Sequence, residues 1–268
     1  MNKIPLGNPV EYPEEYAPEV LCAIPRAESR SALGLGDDLP FHGEDIWNAW
    51  ELTWLATTGT PIVATATIRI SAASPNLVES KSLKLYLNSL AMTRYASRGE
   101  LTDTITRDLS RIAGFEIDVR IAPAGESATV SQFSGECIDA LDIGDVPTSV
   151  DAAVLMTDTG PEVKEALFSH LLRSKCPVTN QPDLGSLLIR YRGRPINRQA
   201  LLTYIVSFRQ HNDFHESCVE RIFVDIRKYC KPSELTVYAR YNRRGGLDIN
   251  PFRSDFEESV ENVRLWRQ

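Results

Sequence analysis

The second half of this chain repeats the element order predicted for the first half, and this duplication constrains the fold more than any other feature. A shift of 118 residues aligns apolar and small polar positions over two predicted helices and one strand. The superposed pairs are Tyr86 and Tyr204, Leu87 and Ile205, Ser89 and Ser207, Leu90 and Phe208, Leu101 and Val219, Ile105 and Phe223, Ile117 and Leu235, and Val119 and Val237. Matching over three elements in one register predicts two copies of one folding unit.

Each copy is predicted to contain two strands, two helices and two further strands. In the first half the strands are 51–57, 62–71, 115–121 and 127–133, and the helices are 79–95 and 101–113. In the second half the strands are 167–174, 185–191, 235–241 and 247–250, and the helices are 198–209 and 214–229. The sequence therefore predicts an α+β protein with two tandem ββααββ modules, antiparallel sheets and paired helices.

Composition changes along the chain indicate where the modules begin and end. Residues 1–45 are rich in Pro and Gly with little periodicity, which is typical of an extended N-terminal arm. We expect an N-terminal module over 46–138 and a C-terminal module over 166–268. The acidic stretch that begins at Asp139 predicts a linker over 139–165.

The charge and cysteine content exclude several classes of function. The net charge is −7, so there is no basic field to attract nucleic acid. No apolar run approaches the roughly 20 residues that span a bilayer, and no apolar segment near the start indicates secretion. The five cysteines include no CxxC pair and no metal-like Cys/His spacing. We expect a cytoplasmic protein with reduced thiols, no metal, no nucleic-acid partner and no membrane partner.

The first segment with chemical potential is the start of the predicted helix near residue 79. Asn76 and Glu79 have the spacing of a capping box, so Glu79 could serve only to hold the helix end. Lys81 and Lys84 lie in the first turns, where the positive end of the helix disfavours cations and favours an anion. A phosphate ligand would explain the two lysines, and so would simple exposure to solvent.

A second segment joins Cys176 to Asp183 after a predicted strand. The Asn-Gln-Pro-Asp-Leu-Gly run is strong turn chemistry, so we expect the chain to reverse and bring thiol and carboxyl close together. Lys175 or a nearby His would lower the pKa of the thiol and create a nucleophilic thiolate. The alternative is a buried cysteine that packs as a small apolar residue beside an ordinary turn aspartate.

The third segment opens the last predicted helix. Asp213 and Glu216 fit a second capping box, so Glu216 also has a purely structural alternative. His211 and His215 are four residues apart, but no further ligands have suitable spacing and a zinc site is not predicted. Glu79 and Glu216 do not correspond under the repeat, as expected if the modules contribute different groups to one composite site.

The fourth segment is a basic hairpin turn formed by Arg243, Arg244, Gly245 and Gly246. Its glycines tolerate positive φ, and its arginines could bind phosphate or could guard an edge strand. No GxGxxG follows a strand and no phosphate-binding P-loop is present. A dinucleotide would therefore not bind in a Rossmann crevice.

The run from Glu79 to Tyr86, Glu-Ser-Lys-Ser-Leu-Lys-Leu-Tyr, resembles the signature of the 7-cyano-7-deazaguanine reductases, nitrile reductases of the tunnelling-fold superfamily. The similarity extends to 39–43, 45–47, 51–55, 169–172, 176–185, 191–194, 207–209, 215–223 and 238–251. It covers nearly the whole chain and is similar to the longer, two-module subfamily. The resemblance implies two tandem tunnelling-fold modules and a homodimer.

The resemblance also implies a role for each candidate residue. Cys176 matches the nucleophile that adds to the nitrile carbon to give a thioimide, and Asp183 matches the proton donor. The positions that match the substrate site are Val78, Glu79, Ser80, His215 and Glu216. The positions that match the NADPH site are Ser80, Lys81, Arg244 and Gly245.

The activity implied by the resemblance is reduction of 7-cyano-7-deazaguanine to 7-aminomethyl-7-deazaguanine in queuosine biosynthesis for tRNA modification. Two NADPH are consumed per turnover and no metal is required. Two alternatives remain. A cyclohydrolase-like enzyme acting on a pterin or purine would need zinc or a water-activating histidine, and a non-catalytic base-binding module would tolerate loss of Cys176.

Overall fold

Long antiparallel strands followed by paired helices form most of the structure, a computed structural model that describes residues 12–126 and 129–268. These residues divide into two compact units. The first unit contains residues up to 29, together with 44–129 and 243–248, and the second contains 30–43, 130–242 and 249–268. Among the described residues, no helix combines the length and apolar character needed to cross a membrane.

The elements of the first unit follow the predicted order of two long strands and two helices. They are β1 (Ala23–Pro25), α1 (Arg26–Ala32), β2 (His42–Leu55), β3 (Pro61–Ser71), β4 (Asn76–Val78), α2 (Ser80–Ser89), α3 (Arg98–Ala113) and β5 (Ile117–Pro123). The unit boundaries fall inside α1 and β2. Strand β3 lies between β2 and β5, and both pairings are antiparallel. The short strands β1 and β4 form a separate antiparallel pair.

The second unit has the same order of long strands and helices. Its elements are β6 (Glu136–Cys137), β7 (Val163–Lys175), β8 (Pro182–Gly193), α4 (Arg198–Ser207), α5 (His215–Cys230), β9 (Glu234–Tyr241) and β10 (Leu247–Ser254). The strand order is β10-β9-β8-β7-β6, antiparallel except for the short β6–β7 pair. Short 3₁₀ helices occur at Pro18–Val20, Ala152–Val154 and Phe208–Gln210. The predicted α+β class with antiparallel sheets is confirmed.

The apolar periodicity of the sequence explains which face of each element is buried. Strand β3 alternates buried and partly exposed side chains from Ala64 onwards, the period of two expected for a sheet covered on one face. Helix α3 buries Leu101, Ile105 and Leu109, which are four residues apart and share one face. Helix α3 packs against β5, and α5 packs against β9. Each unit therefore has its own core between helices and sheet.

Matching hydrogen bonds in the two units show the duplication directly. The Tyr86 hydroxyl donates to Oδ2 of Asp108 at 2.8 Å, and the Tyr204 hydroxyl donates to Oδ2 of Asp225 at 2.6 Å. Both β2 and β7 also contain an irregularity in register, between Ala49 and Leu52 in β2 and between Ser169 and Leu172 in β7. These shared details extend the duplication beyond the apolar pattern.

The predicted constant shift of 118 residues is wrong for the second pair of helices. Helices α2 and α4 are separated by 118 residues, but α3 and α5 are separated by 117. The connection between the two helices is one residue shorter in the second unit, so Leu101 corresponds to Cys218 rather than to Val219. Both Leu101 and Cys218 are fully buried. Val219 is buried too, which is why the apolar pattern could not distinguish the two registers.

The predicted start of strand β2 and the predicted end of helix α2 are wrong. Strand β2 begins at His42 rather than near residue 51, since the polar start of the strand hid its extended conformation. Asp45 in this strand is buried, and its Oδ2 lies 2.5 Å from Nη2 of Arg26. A buried charge that is neutralised by a residue distant in sequence interrupts the apolar pattern from which a strand is predicted. Helix α2 ends at Ser89 rather than at 95, because the main chain at Thr93 bonds to Leu55 instead of continuing the helix.

The prediction of a strand over 127–133 is wrong for residues 129–133, the last part of this segment that the structure describes. Ser127 and Ala128 lie outside the described residues. Residues 129–133 contain no strand, and Val130 forms only an isolated bridge with Arg264. The alternation that suggested a strand therefore belongs to an irregular segment.

Candidate active site

Cys176 directly follows the last residue of β7, at the start of a hairpin loop that leads into β8. Ser174 on β7 pairs with Asp183 on β8, so the chain reverses as predicted between Cys176 and Asp183. The loop is closed by its own main chain. The Cys176 amide donates to the Gln181 carbonyl at 2.9 Å, and the Asn180 amide donates to the Cys176 carbonyl at 3.0 Å. Asn180 has a φ of +56°, a left-handed conformation that asparagine tolerates.

The main chain before Cys176 is also hydrogen-bonded to the segment that precedes α5. The Lys175 amide donates to the His211 carbonyl at 2.8 Å, and the Asp213 amide donates to the Lys175 carbonyl at 3.1 Å. We call these two bonds the Lys175 clamp. The Asn212 side-chain amide adds bonds to the Cys176 carbonyl at 3.4 Å and to Oδ1 of Asn180 at 2.5 Å. The clamp therefore fixes the cysteine loop to the start of α5.

Helix α5 begins at His215 without a side-chain cap. Phe214 occupies the N-cap position, so the predicted capping box of Asp213 and Glu216 is wrong. Asp213 instead accepts a hydrogen bond from the Phe214 amide at 2.8 Å. Glu216 lies in the first turn with 4% of its surface exposed, where the positive end of the helix favours a carboxylate. Glu216 therefore does not occupy the N3 position that the sequence suggested.

His215 and Asp183 form a buried pair. Nε2 of His215 lies 3.4 Å from Oδ2 of Asp183, and both side chains are largely removed from solvent. Burial raises the pKa of the Cys218 thiol, which is in α5, well above its usual value, and the Asp213 charge raises this pKa further. Burial likewise raises the pKa of Tyr241, reinforced by Cys218 and Asp183. The Cys218 thiol and the Tyr241 phenol therefore stay protonated near neutral pH.

In the first unit, Glu79 is itself the N-cap of α2. Its Oε1 accepts from the Lys81 amide and its Oε2 accepts from the Ser82 amide, each at 2.7 Å. The predicted N-cap, Asn76, lies in β4 and donates instead to the Ile112 carbonyl at 3.1 Å. The capping box predicted from spacing is therefore wrong, but a capping function for Glu79 is present. With 1% exposure, the carboxylate is held by two orphan donors of the helix end.

The main chain around Glu79 is fixed by Cys22, the residue before β1. The Glu79 amide donates to the Cys22 carbonyl at 2.9 Å, and the Cys22 amide donates to Oγ of Ser82 at 3.1 Å. Val78, paired with Ala23 across the β1–β4 ladder, is buried. Burial and the Glu79 charge both raise the pKa of the Cys22 thiol. Cys22 therefore positions the start of α2 through its main chain.

The basic turn after β9 lies against a lysine of α2. Gly245 and Gly246 have φ of +59° and +81°, as expected for the predicted tight turn. The Trp50 amide donates to the Gly246 carbonyl at 2.9 Å. A Cβ atom on Gly245 would lie 3.1 Å from Cε of Lys84, so the lysine side chain passes directly over the glycine. The half-buried Arg244 directly precedes Gly245 in this turn.

The position of Lys84 at this turn was not predicted from the sequence. Lys84 is three residues after Lys81, so both lysines lie on one face of the helix. This spacing was the sequence feature that links Lys84 to Lys81. The contribution of Trp50 and Asp248 to the turn was also not predicted from the sequence. The guanidinium of Arg243 lies 5.8 Å from the centre of a Trp50 ring, and the Trp50 indole nitrogen donates to the buried Asp248 carboxylate. These contacts hold the turn in place.

No group of three or more His, Cys, Asp or Glu side chains within the described residues is arranged to bind a metal ion. The second unit brings the Cys176 loop close to the Asp183–His215 pair, and in the first unit the Glu79 carboxylate caps the helix that carries Lys81 and Lys84. The groups of the second unit are suited to nucleophilic addition with proton transfer, and those of the first unit to binding polar and anionic groups.

Two family profiles match this chain. The profile described as "Nitrile reductase, 7-cyano-7-deazaguanine-reductase N-term" matches residues 12–121, and the one described as "QueF-like protein" matches residues 182–259. A protein of Desulfotalea psychrophila named NADPH-dependent 7-cyano-7-deazaguanine reductase is 50% identical over 99% of this chain and 97% of its own length. The chain belongs to the 7-cyano-7-deazaguanine reductase family.

Further relatives with the same name agree with this assignment. The protein of Dechloromonas aromatica is 52% identical over 98% of this chain and 95% of its own length. The protein of Bordetella parapertussis is 53% identical over all of this chain and 99% of its own length. The family resemblance predicted from the Glu79–Tyr86 run is therefore confirmed. A crystal structure of the archaeosine synthase QueF-Like in the apo form covers 36% of this chain and 95% of its own, at 14% identity and a TM-score of 0.31.

Replacing Glu79 with glutamine is expected to destabilise the protein. One carboxylate oxygen becomes an NH₂ group that faces the amide of Lys81 or Ser82, which leaves a buried donor unsatisfied at a cost of about 1–3 kcal/mol. Urea unfolding followed by circular dichroism measures the loss. The matched control is Glu116→Gln, an exposed glutamate of the same unit, which should remain within about 0.5 kcal/mol of wild type. Equal stability of the two variants would show that the cap bonds are not made.

Proposed function

We propose that this protein reduces the nitrile of 7-cyano-7-deazaguanine to the aminomethyl group of 7-aminomethyl-7-deazaguanine, with two NADPH per turnover. The family assignment supports this activity through relatives about 50% identical over nearly the whole chain. The observation that supports the mechanism most strongly is the hairpin loop of Cys176, which ends at Asp183 near the start of β8, with His215 of α5 3.4 Å from Asp183.

In the proposed reaction the Cys176 thiolate attacks the electrophilic nitrile carbon. A carbon–sulfur bond forms, one bond of the carbon–nitrogen triple bond breaks, and the nitrogen gains the electron pair. Asp183 donates a proton to that nitrogen, which gives a neutral thioimide, and His215 lies 3.4 Å from Asp183 to exchange the next proton. NADPH would supply one hydride to the thioimide carbon, after which the carbon–sulfur bond breaks, Cys176 leaves as the thiolate and an imine remains. A second hydride and a proton would then convert the imine to the amine.

We propose that Glu79 and Glu216 accept hydrogen bonds from the guanine-like edge of the substrate. A carboxylate can accept from the ring N1–H and the exocyclic amine, a pattern that adenine does not offer. Glu79 already accepts two main-chain bonds, but a carboxylate has about four acceptor positions, so two remain for a ligand. Val78 and Ser80 in the first unit and His215 in the second are assigned to substrate binding on the family resemblance.

We assign the NADPH phosphates to Ser80, Lys81, Arg244 and Gly245. Ser80 and Lys81 lie in the first turn of α2, whose positive end favours an anion. Lys84 supports this assignment, since its side chain lies over Gly245. The donor set of ammonium, guanidinium and main-chain N–H groups fits a phosphate.

Four further parts of the proposal rest on sequence alone. A homodimer is proposed from the resemblance, and the absence of a nucleic-acid partner from the net charge of −7. A cytoplasmic location is proposed from the cysteine content. The module boundaries at 46–138 and 166–268, with a linker over 139–165, also remain predictions.

Replacing Cys176 with alanine is expected to abolish NADPH oxidation, because no other group in the loop can form the thioimide. Removal of one buried sulfur atom removes little volume, so the circular dichroism spectrum should not change. NADPH absorbance is followed with the cyano substrate in excess. The matched control is Cys137→Ala, since Cys137 is exposed on β6 and should retain the wild-type rate. NADPH oxidation at an undiminished rate by Cys176→Ala would rule out the assigned nucleophile.

Replacing Lys81 or Arg244 with alanine is expected to raise the KM for NADPH by about 10- to 100-fold with little change in the KM of the nitrile. Charge-assisted hydrogen bonds to phosphate contribute about 1.5–3 kcal/mol each. NADH, which lacks the 2′-phosphate, should be a poor donor for the wild type. The matched control is Arg111→Ala, an exposed arginine on α3. Equal use of NADH and NADPH by the wild type would argue against a phosphate site at these residues.

A further inference from the structure

His215 is stacked face to face on Tyr241, the last residue of β9. The ring centres are 3.8 Å apart and the planes differ by 4°. The same imidazole presents Nε2 to Asp183 at 3.4 Å. Tyr241 is completely buried, so the stack covers one face of the imidazole and excludes water from it. A flat contact of this kind restricts rotation of the histidine ring about its side-chain bonds.

Gly185 makes room for the Tyr241 ring. Gly185 lies opposite Tyr241 in the β8–β9 ladder and two residues after Asp183, on the same face of the strand. A Cβ atom on Gly185 would lie 3.3 Å from both Cδ1 and Cε1 of the Tyr241 ring, and 3.1 Å from Cδ2 of Leu172. These distances are tighter than ordinary carbon contacts, so any side chain would displace the ring. The glycine therefore lets the tyrosine lie flat against β8.

The main chain of Tyr241 is held from both sides. Its amide donates to Oδ1 of Asn250 at 3.1 Å, and its carbonyl accepts from Nε2 of Gln268 at 2.6 Å. The next residue, Asn242, exchanges two hydrogen bonds of 2.8 Å with Leu184, which lies between Asp183 and Gly185. The strand that presents the carboxyl and the strand that presents the ring are thus fixed in one register.

We propose that Gly185 and Tyr241 are positioning residues of the reaction, which hold the His215 imidazole so that Nε2 faces Asp183. This inference rests on the proposed function, because the position of His215 relative to Asp183 matters for the reaction only if Asp183 donates a proton to the nitrile nitrogen. The effect of both residues on the reaction passes through His215, because Tyr241 contacts the imidazole and Gly185 makes room for Tyr241. They keep the Asp183 and His215 side chains in a geometry in which small displacements lower the reaction rate.

The decisive variant is Tyr241→Leu, which removes the ring from the stack. We expect kcat to fall by about 10- to 100-fold, since misplacing a reacting group by about 1 Å costs up to 100-fold in rate. The rate of thioimide formation without NADPH should fall by the same factor, which mass spectrometry of the intact protein measures. Tyr241→Phe keeps the ring and should recover most of the lost kcat.

Gly185→Ala tests the same idea while keeping the tyrosine. Displacement of the ring by a few tenths of an ångström should lower kcat by about 3- to 10-fold. The matched control is Gly193→Ala at the other end of β8, where a Cβ would meet Cα of Pro232 at 3.0 Å and the crowding is comparable. For the tyrosine the control is Tyr238→Leu, another buried tyrosine of β9 whose ring contacts Phe133 and Phe252. Both controls should lose stability without losing kcat.

A readout that is independent of activity separates failure of the inference from failure of the proposed function. The ring protons of ¹³C-labelled His215 should be shifted upfield by the stacked ring in wild type and Tyr241→Phe, but not in Tyr241→Leu. A wild-type kcat in Tyr241→Leu, or unchanged His215 resonances, would overturn the positioning role while leaving the nitrile reduction intact. A wild type that forms no thioimide and oxidises no NADPH would overturn the proposed function and the positioning role together.

Discussion

The Lys175 clamp is the interaction on which the arrangement of the catalytic candidates depends. Cys176 and His215 are distant in sequence, yet Cys176 is one residue after Lys175 and His215 is two residues after Asp213, which are directly hydrogen-bonded. Two main-chain bonds therefore determine how the cysteine loop is placed relative to α5. Main-chain bonds leave every side chain free for chemistry, so the residues around them can change without loss of the scaffold.

The first unit contains the same clamp without the chemistry. The Leu55 amide donates to the Thr93 carbonyl at 2.9 Å, and the Tyr95 amide donates to the Leu55 carbonyl at 3.0 Å. The residue after Leu55 is Ala56, where the second unit has Cys176. The N-caps differ in the same way. Asn197 caps α4 with one bond to Ala200, where the buried carboxylate of Glu79 caps α2 with two. The duplicated scaffold thus repeats the geometry, and single substitutions place a cysteine and a buried glutamate at the corresponding positions.

Sequence patterns predicted those features that depend on local chemistry. The apolar periods gave the two-fold repeat, and the turn residues between Cys176 and Asp183 gave the hairpin, because each is determined within a few residues of the chain. Features that depend on distant partners were missed. The buried Asp45 hid the start of β2 because Arg26 neutralises it, and the stack on Tyr241 requires a glycine on the adjacent strand. The roles of the site residues came from the family resemblance and not from their spacing.

The most direct test of the account is to determine which cysteine takes up the substrate. The protein is incubated with 7-cyano-7-deazaguanine in the absence of NADPH, digested, and mapped by peptide mass spectrometry over Cys22, Cys137, Cys176, Cys218 and Cys230. The account predicts one added substrate mass, on the peptide that contains Cys176. Accessibility alone would favour the exposed Cys137, because Cys176 is only 8% exposed. An adduct on Cys137 or Cys22, or no adduct on any cysteine, would contradict the proposed mechanism.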